Sequence, residues 1–329
     1  MSKHENLGDI YTTCKKSYRG KAERRQREYR AKHLNAGWSG YGHLLDAESA
    51  SAGKNFVLPI CHDAARSRDE KGKGIGARTF CNMLSSQAMC FNIFEPLNQD
   101  KELCQRVLKE FIPGISEVKS VTIEYTPEND IFQDQSGKGG VDCDVLVEAV
   151  GTDGKAVIIV IETKFVEPEF STCGYRKAGR TTVCPKDVPL KKSIDNCLYV
   201  KNKQPPYLYW KRTEEHKFLR DDAVPESGCP FSGSAWQIWV NYALVHEEAK
   251  KRNANKAYYA VCASSKNTRL FNPKHNTLEY FRSLVNEREK IVFIDIDKLI
   301  EVIGANIYKD NDSQSLWVAG LEARYANID

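Results

Sequence analysis

Two segments near the middle of the chain carry side chains suited to phosphoryl chemistry. One reads Val141-Asp-Cys-Asp-Val-Leu-Val147, the other Ala156-Val-Ile-Ile-Val-Ile-Glu-Thr-Lys-Phe165. The second is a continuous apolar run, which predicts a central strand covered on both faces. Side chains alternate along a strand, so Glu162 and Lys164 share a face. A carboxylate and an ammonium at the end of a buried strand are costly unless paired or bound to a metal. The turn Gly151-Thr-Asp-Gly154 joins the two segments as a hairpin and brings Asp144 beside Glu162. Asp142 has the same parity as Asp144, but the apolar run begins only after Asp144. Two converging carboxylates suit Mg²⁺ (or Mn²⁺), which binds through one or two carboxylates plus water and phosphate oxygens. Such a cation lowers the pKa of a coordinated water and neutralises charge on phosphorus. Lys164 is placed to orient that water or stabilise the transition state. Together these parts suit phosphodiester hydrolysis.

Asp144, 17 intervening residues, and then Glu162-Thr163-Lys164 closing a buried strand resemble the PD-(D/E)xK nuclease superfamily, which includes restriction endonucleases and recombination exonucleases. The resemblance implies an αβββαβ core, Asp144 and Glu162 as metal ligands, and Lys164 as the catalytic lysine. Ser85-Ser-Gln-Ala88, Cys229-Pro-Phe and Trp236-Gln-Ile-Trp239 are further similar to a family of uncharacterised bacterial restriction endonucleases. The chain departs from the superfamily pattern in having Cys143, not Pro, before Asp144. Glu-x-Lys alone says little; the two apolar strands at hairpin distance give it weight against an ordinary Glu–Lys pair. Many such nucleases add a Glu or Gln from the helix before the sheet, and Gln87 stands there. Recombination-type relatives carry Gln followed four residues later by Tyr. Here Gln237 is followed by Asn241, with Tyr242 next; the alternative for Gln237 is a polar residue on a half-buried helix.

The chain has 11 cysteines, and Cys81, Cys90 and Cys262 sit within apolar patterns as small buried hydrophobes. Cys173, Cys184, Cys197 and Cys229 fall in one stretch with few apolar residues, where zinc or an iron–sulfur cluster would act as a staple. No two are spaced as C-x₂₋₄-C, so buried reduced thiols are the competing reading. Gly137-Lys-Gly-Gly140 and the Gly72–Gly76 segment lack the features of a phosphate-binding loop, and His246-Glu247 lacks the second histidine of a zinc-protease helix.

The elements that position the candidate residues follow from periodicity and breakers. Ala77 to Phe94 predicts a buried helix ended before Pro96, and Asp100 to Phe111 a second one. Strands are expected over Val118 to Tyr125, Val141 to Val150 and Ala156 to Phe165. After a long segment come a helix over Gly233 to Lys251, a strand over Ala257 to Ala263, and a helix over Thr277 to Asn286. A strand over Ile291 to Ile296 and a short helix over Asp297 to Ile303 follow. This order predicts an α/β fold: a mixed sheet flanked by helices with a restriction-endonuclease-like αβββαβ core. Residues 1–76 read as a basic, partly helical N-terminal arm. Residues 77–329 read as the nuclease-like domain, with a Cys-rich insertion at about 166–232. Residues 46 to 78 read as loop.

Composition narrows the class. The chain has 329 residues, 41% hydrophobic and 28% charged, which excludes wholesale disorder. Its apolar runs are too short to span a bilayer and its first residues lack an export signal, so a cytoplasmic protein with no membrane partner is expected. The formal charge of +4 is unevenly spread: nine Lys or Arg lie between Lys15 and Lys32, against Glu23 and Glu28. Such density attracts a polyanion, with a solvated helical face as the plainer reading. The insertion is also rich in Lys and Arg. The expected function is a Mg²⁺-dependent DNA endonuclease of restriction or defence type, and a homodimer is compatible with it. The alternatives are a nucleic-acid-binding protein that does not cleave, and a repair, recombination or RNA-directed nuclease.

Overall fold

The computed structural model describes residues 5–72, 74–128, 131–134, 141–176, 184, 194–223, 225, 228–308 and 310–329. The longer helices are α1 (Tyr18–Tyr29), α2 (Pro59–Glu70), α3 (Ser86–Gln99), α4 (Lys101–Leu108), α5 (Tyr209–His216), α6 (Ala235–Lys251), α7 (Thr277–Leu284), α8 (Ile296–Asn306) and α9 (Asp312–Tyr325). The strands are β1 (Ile115–Tyr125), β2 (Cys143–Gly151), β3 (Ala156–Lys164), β4 (Lys256–Ala263) and β5 (Ile291–Asp295), and they form one sheet in that order. β1, β2 and β3 pair antiparallel; β4 and β5 add on in parallel. The expected succession of helix, three strands, helix, strand, helix and strand is therefore the observed one, a mixed sheet flanked by helices.

Parity decides what each face of the sheet does. Val145, Val147, Val157, Ile159 and Ile161 point into a cluster with Met89, Phe91 and Leu299 from α3 and α8. Leu146, Ile158 and Val160 point the other way, against Ile238, Trp239 and Tyr242 of α6. Burying each such side chain fully stabilises by roughly 1.5–3 kcal/mol, which is why β3 is apolar at every position until Glu162. Glu162 and Lys164 share the parity of Ile158 and Val160, so they emerge on the α6 face.

Three local readings change. The expected helix over Ala77 to Phe94 is interrupted at Asn82, and its second part continues through Pro96 to Gln99. Proline cannot donate to the carbonyl four residues back. That carbonyl, on Asn92, instead accepts from the Trp317 indole at 2.7 Å. The region read as loop contains α2, whose Cys61 and Ala65 share a buried stripe among charged neighbours. α9 lies beyond the last predicted element.

The basic segment packs rather than projects. Tyr18 and Ala22 join the same cluster as Cys61, Ala65, Leu321 and Tyr325. Arg30 is buried and donates to the carbonyls of Gly42 and Ala36 at 2.9 and 2.7 Å. Arg25 donates to the carbonyls of Ala323 and Asn327. Part of the positive charge is thus structural. The segment read as an insertion also contributes to the core: Phe170, Tyr209, Trp210 and Phe231 pack with Trp239. Its residues Lys177, Arg180, Lys186, Lys191 and Lys192, and the Gly137–Gly140 segment, lie outside the described residues.

Candidate active site

The hairpin register carries Asp144 to Glu162. Val145 pairs with Ile161 and Leu146 with Val160, so one step further Asp144 stands level with Glu162. On the other side Ile123 pairs with Val145 and Tyr125 with Cys143, which puts Glu124 level with Asp144 as well. Three acids from three adjacent strands therefore come close enough for each to act on the others' charge.

Each acid is held differently. The amide and hydroxyl of Thr163 donate to Asp144 Oδ2 at 2.6 and 2.7 Å. Both bonds fall on one oxygen. Cys90 of α3 donates its thiol to the Asp144 carbonyl, tying the helix to the strand. Glu162, 3% exposed, is gripped at both oxygens. Oε1 accepts from Lys164 Nζ and from Gln237 Nε2, each at 2.7 Å, and Oε2 from Asn241 Nδ2 at 2.8 Å. Gln237 and Asn241 are one helical turn apart on α6, so one face of that helix supplies both amides. The Ser171 amide in turn donates to Gln237 Oε1 at 2.8 Å and fixes its orientation.

Glu124 is the acid that sequence reasoning missed. It is 7% exposed, its backbone is left-handed at φ +54°, and Oε1 is buried without a hydrogen-bond partner. Arg68 of α2 donates to its carbonyl, securing a conformation that L-residues adopt rarely. Gln87 hydrogen-bonds to its side chain. Gln87 also donates to the Gly74 carbonyl at 3.1 Å and accepts from the Gly76 amide at 3.1 Å. Gln87 thus ties Glu124 to a glycine segment that crosses beside the acids. A Cβ on Gly74 would lie 3.7 Å from Glu124 Oε2 and 4.0 Å from Asp142 Oδ2. Asp142 precedes β2 and holds a buried, unpartnered Oδ1. No local signal marks Glu124: in Ile123-Glu124-Tyr125 it reads as an ordinary outward polar residue.

The electrostatics follow from crowding. Burial, and next the charge of Asp144, push Glu124 up to about 9. Burial and Asp144 push Glu162 up to about 7, against the lowering effect of Lys164. Burial raises Asp144 too, opposed by Lys164 and Thr163. Burial would lower Lys164, but Glu162, Glu167 and Asp144 outweigh it and hold the ammonium above its ordinary value. Lys164 is therefore a cation at neutral pH and not a base. A group of carboxylates that resists ionising, with one unpartnered oxygen, is chemistry that a divalent cation relieves. The donor set accordingly fits Mg²⁺ or Mn²⁺. Among the described residues no group of three or more His, Cys, Asp or Glu side chains already stands as a metal-ligand set. A cation held by one or two carboxylates, completed by water and substrate, does not need one.

The four insertion cysteines also come together. Cys173, Cys184, Cys197 and Cys229 all line one cavity. Burial, and then the neighbouring Cys173 and Cys184, lift Cys197 to about 11. Cys229 is raised by burial and by each of the other three.

A family model described as the PD-(D/E)XK nuclease superfamily matches residues 15–187, and the chain belongs to that superfamily. The match spans Gln87, Glu124, Asp144, Glu162 and Lys164 and ends before Gln237 and Asn241. No curated protein and no solved structure gives a match. Among the described residues no helix is long and apolar enough to cross a membrane.

Proposed function

We propose that the chain is a Mg²⁺-dependent endonuclease that hydrolyses DNA phosphodiester bonds, of the restriction or defence kind. The observation that carries this reading is the meeting of Asp144 and Glu162 on paired strands, with Lys164 Nζ 2.7 Å from Glu162. Membership of a nuclease superfamily supplies the reaction class and a nucleic-acid substrate.

Asp144 and Glu162 would hold the cation, with Glu124 as a third acid beside them. When bound, the cation supplies an acidified water and neutralises charge at phosphorus. Thr163 fixes Asp144 by two bonds to one oxygen. Gln237 and Asn241 keep Glu162 in a single orientation as its charge changes. Lys164, held protonated, presents a positive charge to an anionic transition state and a donor to the attacking water. Glu162 and Lys164 are nearly covered whereas Asp142 and Asp144 are only partly so, which leaves the site open on its Asp144 side.

The test is relaxation and linearisation of a supercoiled plasmid with Mg²⁺, with Mn²⁺ and with EDTA, by the wild-type chain and Glu162→Ala. Cleavage by the wild type alone, and only with a divalent cation, is the expected result. Substrate-matched RNA and linear DNA in parallel separate an RNA-directed or end-directed enzyme. A wild-type chain that binds DNA and cuts under none of these conditions is a binding protein on this fold.

A further inference from the structure

The cysteine cavity lies outside the carboxylate site, and the reading above makes no use of it. Its four thiols come from positions spread across 173 to 229, in a segment whose described regular elements are short. Buried thiols acting merely as small hydrophobes have no reason to seek one another. Here all four meet in one cavity, beside Tyr199 and Trp236. The surrounding backbone is arranged to bring them there. The Cys184 amide donates to the Tyr175 carbonyl at 3.2 Å, linking the second thiol to the turn that follows the first. The Gly174 amide donates to the Tyr199 hydroxyl at 3.1 Å, linking that turn to the short helix that Cys197 opens. The free volume is about 20 Å³, about the room of one water molecule and far too little for an organic substrate.

We propose that Cys173, Cys184, Cys197 and Cys229 together ligate a thiophilic metal centre that staples this segment onto α6. Two sources share the chemistry: a single zinc ion in a Cys₄ site, or an iron–sulfur cluster. Among the described residues the thiols do not already stand in a metal's coordination geometry, so binding requires them to reorient around it. In either case each ligating thiol releases its proton to solvent, and the metal centre offsets part of the resulting thiolate charge. The staple is needed because the segment carries Trp210, Phe231 and Tyr209 into the core without long elements of its own to hold them. Its reach extends to the acids, since the Ser171 amide, two residues before Cys173, orients Gln237 on Glu162.

The test is metal analysis of the full chain, purified without oxygen or chelators from cells supplied with iron and zinc. Zinc near one per chain in a colourless protein supports the single-ion form. Iron with matching acid-labile sulfide and a visible chromophore supports the cluster. Cys197→Ser combined with Cys229→Ser loses the metal, whereas Cys14→Ser, at an exposed thiol, retains it. Should the double variant prove insoluble, a chelator is used to strip the wild-type chain. Stripping then exposes residues 166–232 to protease while the sheet stays protected, and zinc or reconstituted iron–sulfur restores protection. Absence of stoichiometric zinc and iron overturns the proposal. So does metal retained by a soluble double variant, or a protease pattern unchanged by stripping. None of these readouts uses nuclease activity, so this site and the carboxylate site fail independently.

Discussion

Glu124 stands level with Asp144 across the first two strands, and after burial itself the Asp144 charge is the largest influence lifting the Glu124 carboxyl, to about 9. Two acids so placed on neighbouring strands, one with an unpartnered oxygen and a left-handed backbone, form a locally unfavourable arrangement. Such strain recurs where a site needs it and is held by its surroundings, here by Arg68 and Gln87.

Glu124→Gln separates a working acid from a structural one. The substitution keeps the shape and removes the charge. Cleavage with Mg²⁺ is expected to fall by about 10- to 100-fold, the range seen when a group supporting a metal site is lost. Without metal the variant is expected to melt at a higher temperature than the wild type above pH 8, because a buried carboxylate with an orphaned oxygen is gone. Plasmid cleavage and thermal unfolding check the two halves. Unchanged cleavage would remove Glu124 from the site.

What the sequence made legible and what it hid divide along physical lines. The β2–β3 hairpin was readable because a strand covered on both faces must be apolar throughout, and Glu162 and Lys164 broke that pattern. Their shared parity placed them on one face, and the observed pairing of Val145 with Ile161 runs up to Asp144. Gln237 was singled out and meets Glu162; Asn241, noted only as a departure from the relatives' tyrosine, meets it too. Gln87 does approach the acids, but through Glu124, which no local pattern marks. Pro96 was read as a helix end by a rule that considers only the chain nearby. The Trp317 indole overrides it from 225 residues away. α2 was hidden because its arginines and aspartates mask a narrow stripe of Cys61 and Ala65.

The Pro96 arrangement predicts a coupled pair. Trp317→Phe leaves the Asn92 carbonyl buried without a donor and should cost about 1–3 kcal/mol of stability. Pro96→Ala restores an amide able to reach that carbonyl, so the double variant should lose less than the two single losses added. Chemical denaturation of the four proteins closes the cycle. Simple additivity would mean that the indole bond does not compensate for the proline.

Asn241 and Gln237 should act on charge and orientation more than on substrate binding. Asn241→Leu removes the only amide at Glu162 Oε2 among the described contacts and leaves packing on α6 largely intact. A lost hydrogen bond to the charged form raises the carboxyl further above about 7. The alkaline shift of the rate profile should therefore be larger in Asn241→Leu than the change in KM. Asn241→Asp adds a like charge and should shift the profile further in the same direction. A kcat–pH curve that stays put in both variants would make Asn241 a packing residue.

The raised acids also fix how stability responds to pH, and the sign can be worked out. Glu124 and Glu162 ionise at about 9 and about 7 in the folded chain, against an ordinary value of 4.5. Between the ordinary and folded values the native state retains protons that the unfolded state has released, so stability falls as pH rises. As far as these two groups are concerned, the metal-free chain should be most stable at and below about pH 4.5. It should lose stability through about 7 as Glu162 ionises, and level off above about 9 once Glu124 has done so. Mg²⁺ binds the ionised forms, so its stabilising effect should be small at pH 5 and grow toward pH 9. Melting temperatures from pH 5 to 9.5, with and without Mg²⁺, measure both slopes. In Glu124→Gln the metal-free decline should stop near pH 7, since only Glu162 then titrates in that window. A wild-type melting curve that diverges from its Mg²⁺ counterpart at acid rather than alkaline pH would contradict the assignment of the raised groups to the cation site.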